Sequence, residues 1–295
     1  MTELSLIVCS RTAALPPALQ ANIVSTIGNI DYELVVIDNS TNRYTIAQAY
    51  NLGVSRATGR ILCFMHDDIE YRTAGWGGQV LRVFSDPQVM ACSNTGCPYT
   101  RRVASYHGIV YLHFVTAWGG VVGDCANDGK PVVVFDGMWF CIRKSCFDTI
   151  RFDESYPGFH LYDMDIAMQL YSNGMKTVFT SAVLLQHKMD GDDYVRDGVF
   201  IENLFQFYRK WHHLFPAIVD PDALPTPDDA YEFELEALYT SLKHIVVSKR
   251  FHLLPQWCRM IYDVLHKPLV VAIPEIMNHH RHLLRWKREA KKQLQ

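Results

Sequence analysis

The chain has 295 residues, 49% hydrophobic and 20% charged, which is globular composition with ample material for a core. Its net charge of −3 is uneven: residues 279–295 hold six Arg and Lys against the single Glu289, a net of +5 that leaves −8 elsewhere. An acidic body with a basic tail argues against nucleic-acid binding, and no apolar stretch of about 18 residues predicts a membrane-spanning helix.

The first 70 residues alternate between two patterns. LSLIVCS is an apolar run of branched residues and reads as a buried strand. Residues 15–28, with Pro16 and Pro17 near the start, read as a helix. ELVVIDNS is a second buried strand, TIAQAYNLGVSRA a helix closed by Gly59, and RILCFMHDD a third strand. Continuous apolar strands joined by helices predict a parallel sheet covered on both faces. Further on, 76–84 reads as a helix, VMACS as a strand and 96–130 as a long irregular region. PVVVFDGMWFCIRKS predicts strand, turn and strand. LYDMDIAMQLYSNGMK is helical from Asp165, with Gly174 closing it. KTVFTSAVLLQHK predicts a strand pair or a strand with an extension, ending at His187. These patterns divide the chain into a catalytic domain over 1–215, a proline-rich connector over 216–230 and a helical extension over 231–295.

The N-terminal MTELSLIVCSR has no basic segment followed by a long apolar one, so no signal peptide is expected. The eight cysteines are scattered, several of them in apolar strands (Cys9, Cys63, Cys141), and read as reduced thiols of a cytoplasmic protein. The C-x4-C pairs Cys92/Cys97 and Cys141/Cys146 are looser than structural zinc usually requires. The tail HHRHLLRWKREAKKQLQ sets Leu283, Trp286 and Ala290 at helical spacing among cations. That pattern fits either a peripheral membrane or partner contact, or an end helix packed on its own domain.

In parallel sheets ligands bind beyond the carboxyl ends of the strands. Ser10, Arg11, Asp38, Asn39, His66, Asp67 and Asp68 all fall there. Carboxylates in the 66–68 triplet can hold a hard divalent cation, or merely cap the next segment. Asp163 and Asp165 stand at a helix start, where orphan amides stabilise carboxylates; Asp165 fits the capping role. Asp163, expected just outside the helix, is the candidate general base. His187 is a candidate ligand or a structural histidine. Asp190, Asp192 and Asp193 do not complete a calcium loop. Arg101 and Arg102 are candidates for phosphate or solvent, and Trp118, Trp139 and Phe140 for sugar stacking or core.

Taken in order, LSLIVCSR, ELVVIDNST, AYNLGVSRATGRILCFMHDD, VFDGMWFCIRKS and FDESYPGFHLYDMDIAMQL resemble the inverting family 2 glycosyltransferases. The resemblance spans about residues 4–190 and implies an α/β chain of the GT-A fold, with a mostly parallel central sheet flanked by helices and a helical C-terminal extension. The third stretch is the most specific: an Asn-x-Gly helix (Asn51, Gly53), an Ala-x-Gly close (Ala57, Gly59) and an apolar strand lead into the D-x-D position. The resemblance implies that Ser10, Arg11 and Asp38 line a nucleoside pocket. Asn51, His66 and Asp67 fall on the donor side, and Asp136 and Gly137 border the donor sugar. It further implies that Asp68 binds Mn2+ or Mg2+ with His187 completing the coordination, that Asp163 is the base, and that Trp139 and Tyr162 lie on the acceptor side. A nucleotide-sugar donor, UDP-linked by default, and a saccharide, lipid-linked or protein acceptor follow. Two positions depart from the family pattern. His66 replaces the first Asp of D-x-D, and Tyr162 replaces the Glu that usually precedes the base.

Two other classes are weighed against this. A sugar-nucleotide-binding module without turnover is favoured only by His66. A sugar nucleotidyltransferase requires a Gly-rich basic loop after the first strand, where CSRTAALPP has no glycine. A dinucleotide-binding dehydrogenase is excluded by the absence of G-x-G-x-x-G there.

Overall fold

The computed structural model describes residues 2–103, 110–188 and 198–293. It forms two compact units, one built on residues 2–100, 110–188 and 218–221, the other on 101–103, 198–217 and 222–293.

The first unit is built on a six-stranded sheet. Its strands are β1 (Leu4–Ser10), β2 (Tyr32–Asp38), β3 (Ile61–Met65), β5 (Val89–Ser93), β9 (Trp139–Arg143) and β10 (Lys176–Phe179). The order is β10-β5-β9-β3-β1-β2, with β9 antiparallel to both neighbours and the rest parallel. Strand β3 is buried at every residue, as a run without alternation requires when both faces are covered. On one face, Leu4, Leu6 and Val8 pack with Leu19 and Ile23 of α1 (Pro17–Thr26) and Trp76 and Val80 of α3 (Trp76–Val83). The other face is aromatic: Tyr50 of α2 (Ile46–Arg56) meets Phe64, which stacks on Phe140. Helix α2 lies so close to β1 that a Cβ on Gly53 would come within 2.3 Å of the Ile7 side chain. Gly59 is equally confined against Ser5. The glycines of the Asn-x-Gly and Ala-x-Gly pattern are therefore packing devices.

A second, smaller sheet runs β4 (Ile69–Tyr71), β11 (Leu185–His187), β7 (Tyr111–Val115), β6 (Thr95–Gly96), with β8 (Val121–Gly123) paired to β7. The region 96–130, expected to be irregular, thus supplies three short strands. Conversely, the expected strand over 131–135 makes only isolated bridges, Cys97 with Val134 and Pro131 with Val178. Its valines are buried, but the segment crosses between the two sheets instead of joining either ladder. Helix α4 (Tyr162–Ser172) starts three residues before Asp165.

The second unit is helical: α5 (Val199–Trp211), α6 (Pro227–Val247), α7 (Leu254–Leu265) and α8 (Leu269–Gln293). Helix α5 buries Phe200, Ile201, Leu204, Phe205, Phe207, Tyr208 and Trp211, an apolar stripe that needs helical partners. The helical unit therefore begins upstream of the proline-rich stretch expected as the connector over 216–230. Within that stretch, residues 218–221 belong to the sheet unit, where Val219 N–H donates to Pro98 O. Arg101, read as a candidate for phosphate or solvent, lies over the Phe233 ring within the helical unit. All eight cysteines are free thiols. Among the described residues no helix is long and apolar enough to cross a membrane.

Candidate active site

The site lies where β1, β2 and β3 end and β9 begins. His66 continues the ladder past β3, its N–H donating to Met138 O. The chain then turns into β4, which pairs antiparallel with β11, so that His187 stands opposite Ile69. Lys188 N–H closes the turn on Asp68 O at 2.9 Å. This pairing carries His187 to Asp68 across a long sequence separation.

Three side chains converge. His187 Nε2 is 3.3 Å from Asp68 Oδ1, and His66 Nδ1 is 3.9 Å from the same oxygen. One ligand atom from each of the three residues lies within 4.8 Å of the others. Asp68 Oδ1 is buried without a hydrogen-bond partner among the described residues, so its contact with His187 has ion-pair distance but not hydrogen-bond geometry. A carboxylate oxygen that makes no hydrogen bond while facing two imidazoles is an arrangement a cation would complete. It fits a divalent cation, whose bonds of about 2.0–2.2 Å set ligand atoms roughly 3 to 4 Å apart. Burial opposes ionisation of Asp68, but the imidazoles and Arg11 outweigh it and hold the carboxyl below its ordinary range. Burial likewise disfavours charged His66 and lowers its pKa. At His187 the desolvation is overcome by Asp68, and the pKa is raised. His66 thus joins Asp68 and His187 in a cluster that could hold a metal ion, in addition to the donor side expected of it. Among the described residues this is the one such cluster, and neither C-x4-C pair contributes to it.

The buried carboxyl of Asp163 lies at the other end of a bonded path. His66 Nε2 is 3.0 Å from Tyr162 Oη, which donates to Gly137 O at 3.2 Å. Gly137 N–H in turn donates to Asp163 Oδ2 at 2.7 Å, and Met164 N–H donates to Oδ1 at 2.9 Å. A Cβ on Gly137 would fall 2.1 Å from Tyr162 Oη, so only glycine lets these two segments meet. Asp163 lies inside the first turn of α4, not outside it, and is 3% exposed. Desolvation, reinforced by the Asp136 charge, pushes its pKa up to about 7. Asp165 does not cap the helix; it is buried and accepts from Tyr156 Oη and Gln169 Nε2.

Other expected residues divide. Asp67 accepts from Arg11 N–H and Nε, so both its oxygens hold Arg11, whose guanidinium is largely exposed. Asp38 is exposed at the end of β2 and accepts from Ser40 N–H. Ser10 is buried and bonded within its own turn, its Oγ donating to Ala14 O. Asp136 accepts from Met138 N–H and bears on Asp163. Asn51 is not a donor-side group: its amide pairs with both Phe152 N–H and Phe152 O, pinning the loop before α4. Trp139 is not an acceptor-side group either, because it is 0% exposed in the middle of the sheet. Phe140 is core for the same reason. Two exposed aromatics remain. Phe159, 49% exposed, has its ring 5.1 Å from His66, and the sequence pattern gave no signal for it beyond its place before α4. Trp118, 85% exposed, tips the β7–β8 hairpin, which Gln186 holds through Thr116 O. The residues Asp190, Asp192 and Asp193 lie outside the described residues.

A model of a glycosyltransferase-like family matches residues 18–188, more than half of the chain, and the chain belongs to that family. Its fold is that of the GT-A glycosyltransferases. Residues 1–349 of TarS from S. aureus, in complex with UDP-GlcNAc, share 12% identity at a TM-score of 0.56, over 98% of this chain and 92% of that one. The mannosyltransferase PcManGT from Pyrobaculum calidifontis, in complex with GDP-Man and Mn2+, shares 13% identity at a TM-score of 0.50, over 85% and 75%. GalNAc-T7 with UDP, GalNAc and Mn2+ shares 11% at a TM-score of 0.46; this chain covers 50% of that one. No curated protein matches the sequence significantly.

Proposed function

We propose that the chain is a metal-dependent, inverting glycosyltransferase. Its donor is a sugar linked to a nucleoside diphosphate, by default UDP, and its acceptor a hydroxyl of a saccharide, a lipid-linked oligosaccharide or a protein. One observation carries this. The bonded path His66–Tyr162–Gly137–Asp163 ties a His–Asp–His ligand cluster to a carboxyl whose pKa is about 7. A general base works best with a pKa near the operating pH. Two amides hold the Asp163 oxygens, and a carboxylate has further lone pairs to accept a proton from an acceptor hydroxyl. A single base opposite the leaving group gives in-line displacement with inversion. A divalent cation, when bound by Asp68, His187 and His66, supplies charge neutralisation to the departing diphosphate. Two imidazoles and one carboxylate favour Mn2+ over Mg2+, which prefers all-oxygen sites. Arg11, steadied by Asp67, is available to the diphosphate charge, while Ser10 and Asp38 flank the nucleoside side. Trp118 and Phe159 offer rings to an acceptor sugar. The nucleotide-sugar complexes of the TarS and PcManGT neighbours support the donor class. We further propose that the enzyme works in polysaccharide or glycoconjugate synthesis on the cytoplasmic side, with the basic end of α8 resting on an anionic membrane surface. Arg281, Arg285 and Arg288 are exposed there, and Leu284 is 41% exposed.

The test is release of free nucleoside diphosphate from a panel of sugar nucleotides, with chelator, Mg2+ or Mn2+ and mixed acceptors. Release that needs Mn2+ and is lost in Asp68→Asn supports the assignment, and the anomeric configuration of the product reads the stereochemistry. Donor binding without release under every condition would make the chain a binding module.

A further inference from the structure

The two positions at which the sequence leaves the family pattern, His66 and Tyr162, touch each other: His66 Nε2 is 3.0 Å from Tyr162 Oη. A carbonyl oxygen only accepts, so the Tyr162 hydroxyl, 3.2 Å from Gly137 O, directs its proton there. With its proton directed at Gly137 O, the hydroxyl has a lone pair to accept from His66, the arrangement in which the imidazole proton lies on Nε2. A neutral imidazole carries one proton, so Nδ1 is left with its lone pair. Nδ1 is the ring atom that faces Asp68 Oδ1, at 3.9 Å, too far for a hydrogen bond. That spacing agrees with an unprotonated Nδ1, since a proton there would be drawn to an oxygen that makes no hydrogen bond. The ring is also fixed in place: Phe159 packs 5.1 Å from it, and His66 N–H is held by Met138 O. Gly137 is part of the device, because any Cβ would push the Tyr162 hydroxyl away.

We propose that Tyr162 is a positioning residue that locks His66 in its Nε2–H tautomer, so that a His-x-Asp pair joined to a tyrosine replaces the usual Asp-x-Asp as a cation-binding pair. The two departures are then one compensated change. An imidazole in place of a carboxylate needs a partner to fix its tautomer, and ligand histidines depend on such partners for affinity. This rests on reading the His66, Asp68 and His187 cluster as a divalent-cation site, and not on the donor, the acceptor or the base.

Two measurements on full-length protein test it. Nitrogen-15 shifts of labelled histidine in metal-free wild type report the tautomer of His66 without any variant. Titration with Mn2+ alone, for wild type, Tyr162→Phe and His187→Ala, reports affinity. The expectation is Nε2–H in wild type, a tautomer mixture in Tyr162→Phe, and Mn2+ affinity lowered about 10- to 100-fold in that variant. His187→Ala should lose Mn2+ affinity while keeping the His66 tautomer. An Nδ1–H tautomer in wild type overturns the proposal, as does Tyr162→Phe with unchanged tautomer and Mn2+ affinity. Wild type that binds no Mn2+ overturns the metal site itself, and the proposal with it.

Discussion

Replacing Asp163 by Asn separates the chemical from the structural role of this buried carboxyl. Burial and Asp136 move the group from 3.8 to about 7. At about 1.4 kcal/mol per pKa unit this corresponds to at most about 4 kcal/mol of strain when the folded protein carries the charge. The sign follows from proton uptake. Between the two values the folded state binds more protons than the unfolded one, so stability is highest below pH 4 and falls as pH rises to about 7. From pH 5 to pH 8 the loss attributable to this group is about 2.5 kcal/mol. The Asn variant has no such charge. Its amide keeps one of the two bonds from Gly137 and Met164 and opposes the other with a donor, a penalty of about 1–3 kcal/mol that does not vary with pH. The variant should therefore lie within about 1.5 kcal/mol of wild type at pH 5 and gain on it steadily to pH 8. Thermal unfolding of the metal-free proteins across that range measures this, with an expected relative gain of roughly 5 °C or more. Turnover should fall at least about 10²-fold while the donor still binds, and wild-type rate should rise with pH through about 7. Parallel pH dependences of the two melting curves would refute the shifted carboxyl. Normal turnover by the variant would refute the base.

Gly137→Ala should cost about 1–3 kcal/mol and lower turnover at least tenfold, since its Cβ collides with Tyr162 and approaches Asp163 Cβ at 3.2 Å; unfolding and rate assays read both effects. Asp68→Asn should abolish high-affinity Mn2+ binding in calorimetry and lower the melting temperature of the metal-free protein at neutral pH, because the imidazoles and Arg11 that hold the carboxyl below its ordinary range lose their anionic partner. Trp118→Ala, at an exposed hairpin tip, should leave stability within about 0.5 kcal/mol of wild type and raise the acceptor KM without changing donor affinity. Protein ending at Asn278 should lose salt-sensitive co-sedimentation with anionic vesicles; equal binding by both lengths, or none by either, would remove the membrane contact.

Much of the sheet was legible because inner strands such as β1 and β3 are buried along nearly their whole length. LSLIVCS and ILCFM are almost continuous apolar runs, the half-buried edge strand ELVVID keeps an apolar centre, and the polar residues that end them mark the edge where a ligand binds. Asp68 and His187 follow from that logic and from the resemblance, and the β4–β11 pairing that unites them supplies what no local pattern encodes. The short strands β6 to β8 escaped notice because two to five residues give too little alternation to tell from loop. Valines 132–134 misled in the opposite direction: burial, not ladder pairing, selects their branched side chains. Asn51 and Trp139 misled because motif position and chemical suitability say nothing about what a side chain already touches.

His66 and Tyr162 are the instructive case. Each, taken singly, is the loss of a carboxylate that the family pattern uses, and together they invite the reading of a site decayed to binding alone. The structure gives them a common hydroxyl–imidazole contact and leaves Asp68 Oδ1 without a hydrogen-bond partner in front of Nδ1 of the same ring. A decaying site has no reason to retain a carboxylate that two imidazoles and Arg11 hold ionised while one of its oxygens makes no hydrogen bond. Nor has it reason to keep glycine at 137, where a methyl group would break the contact. The pair is better understood as a substitution of ligand chemistry, nitrogen for oxygen, made at two positions at once. Its consequence is metal preference: the site should take Mn2+ well and Mg2+ poorly, because Mg2+ gains little from imidazole. Competition between the two ions in the absence of donor, read by calorimetry, measures that preference. A site that binds Mg2+ as tightly as Mn2+ would mean that His66 does not ligate the ion.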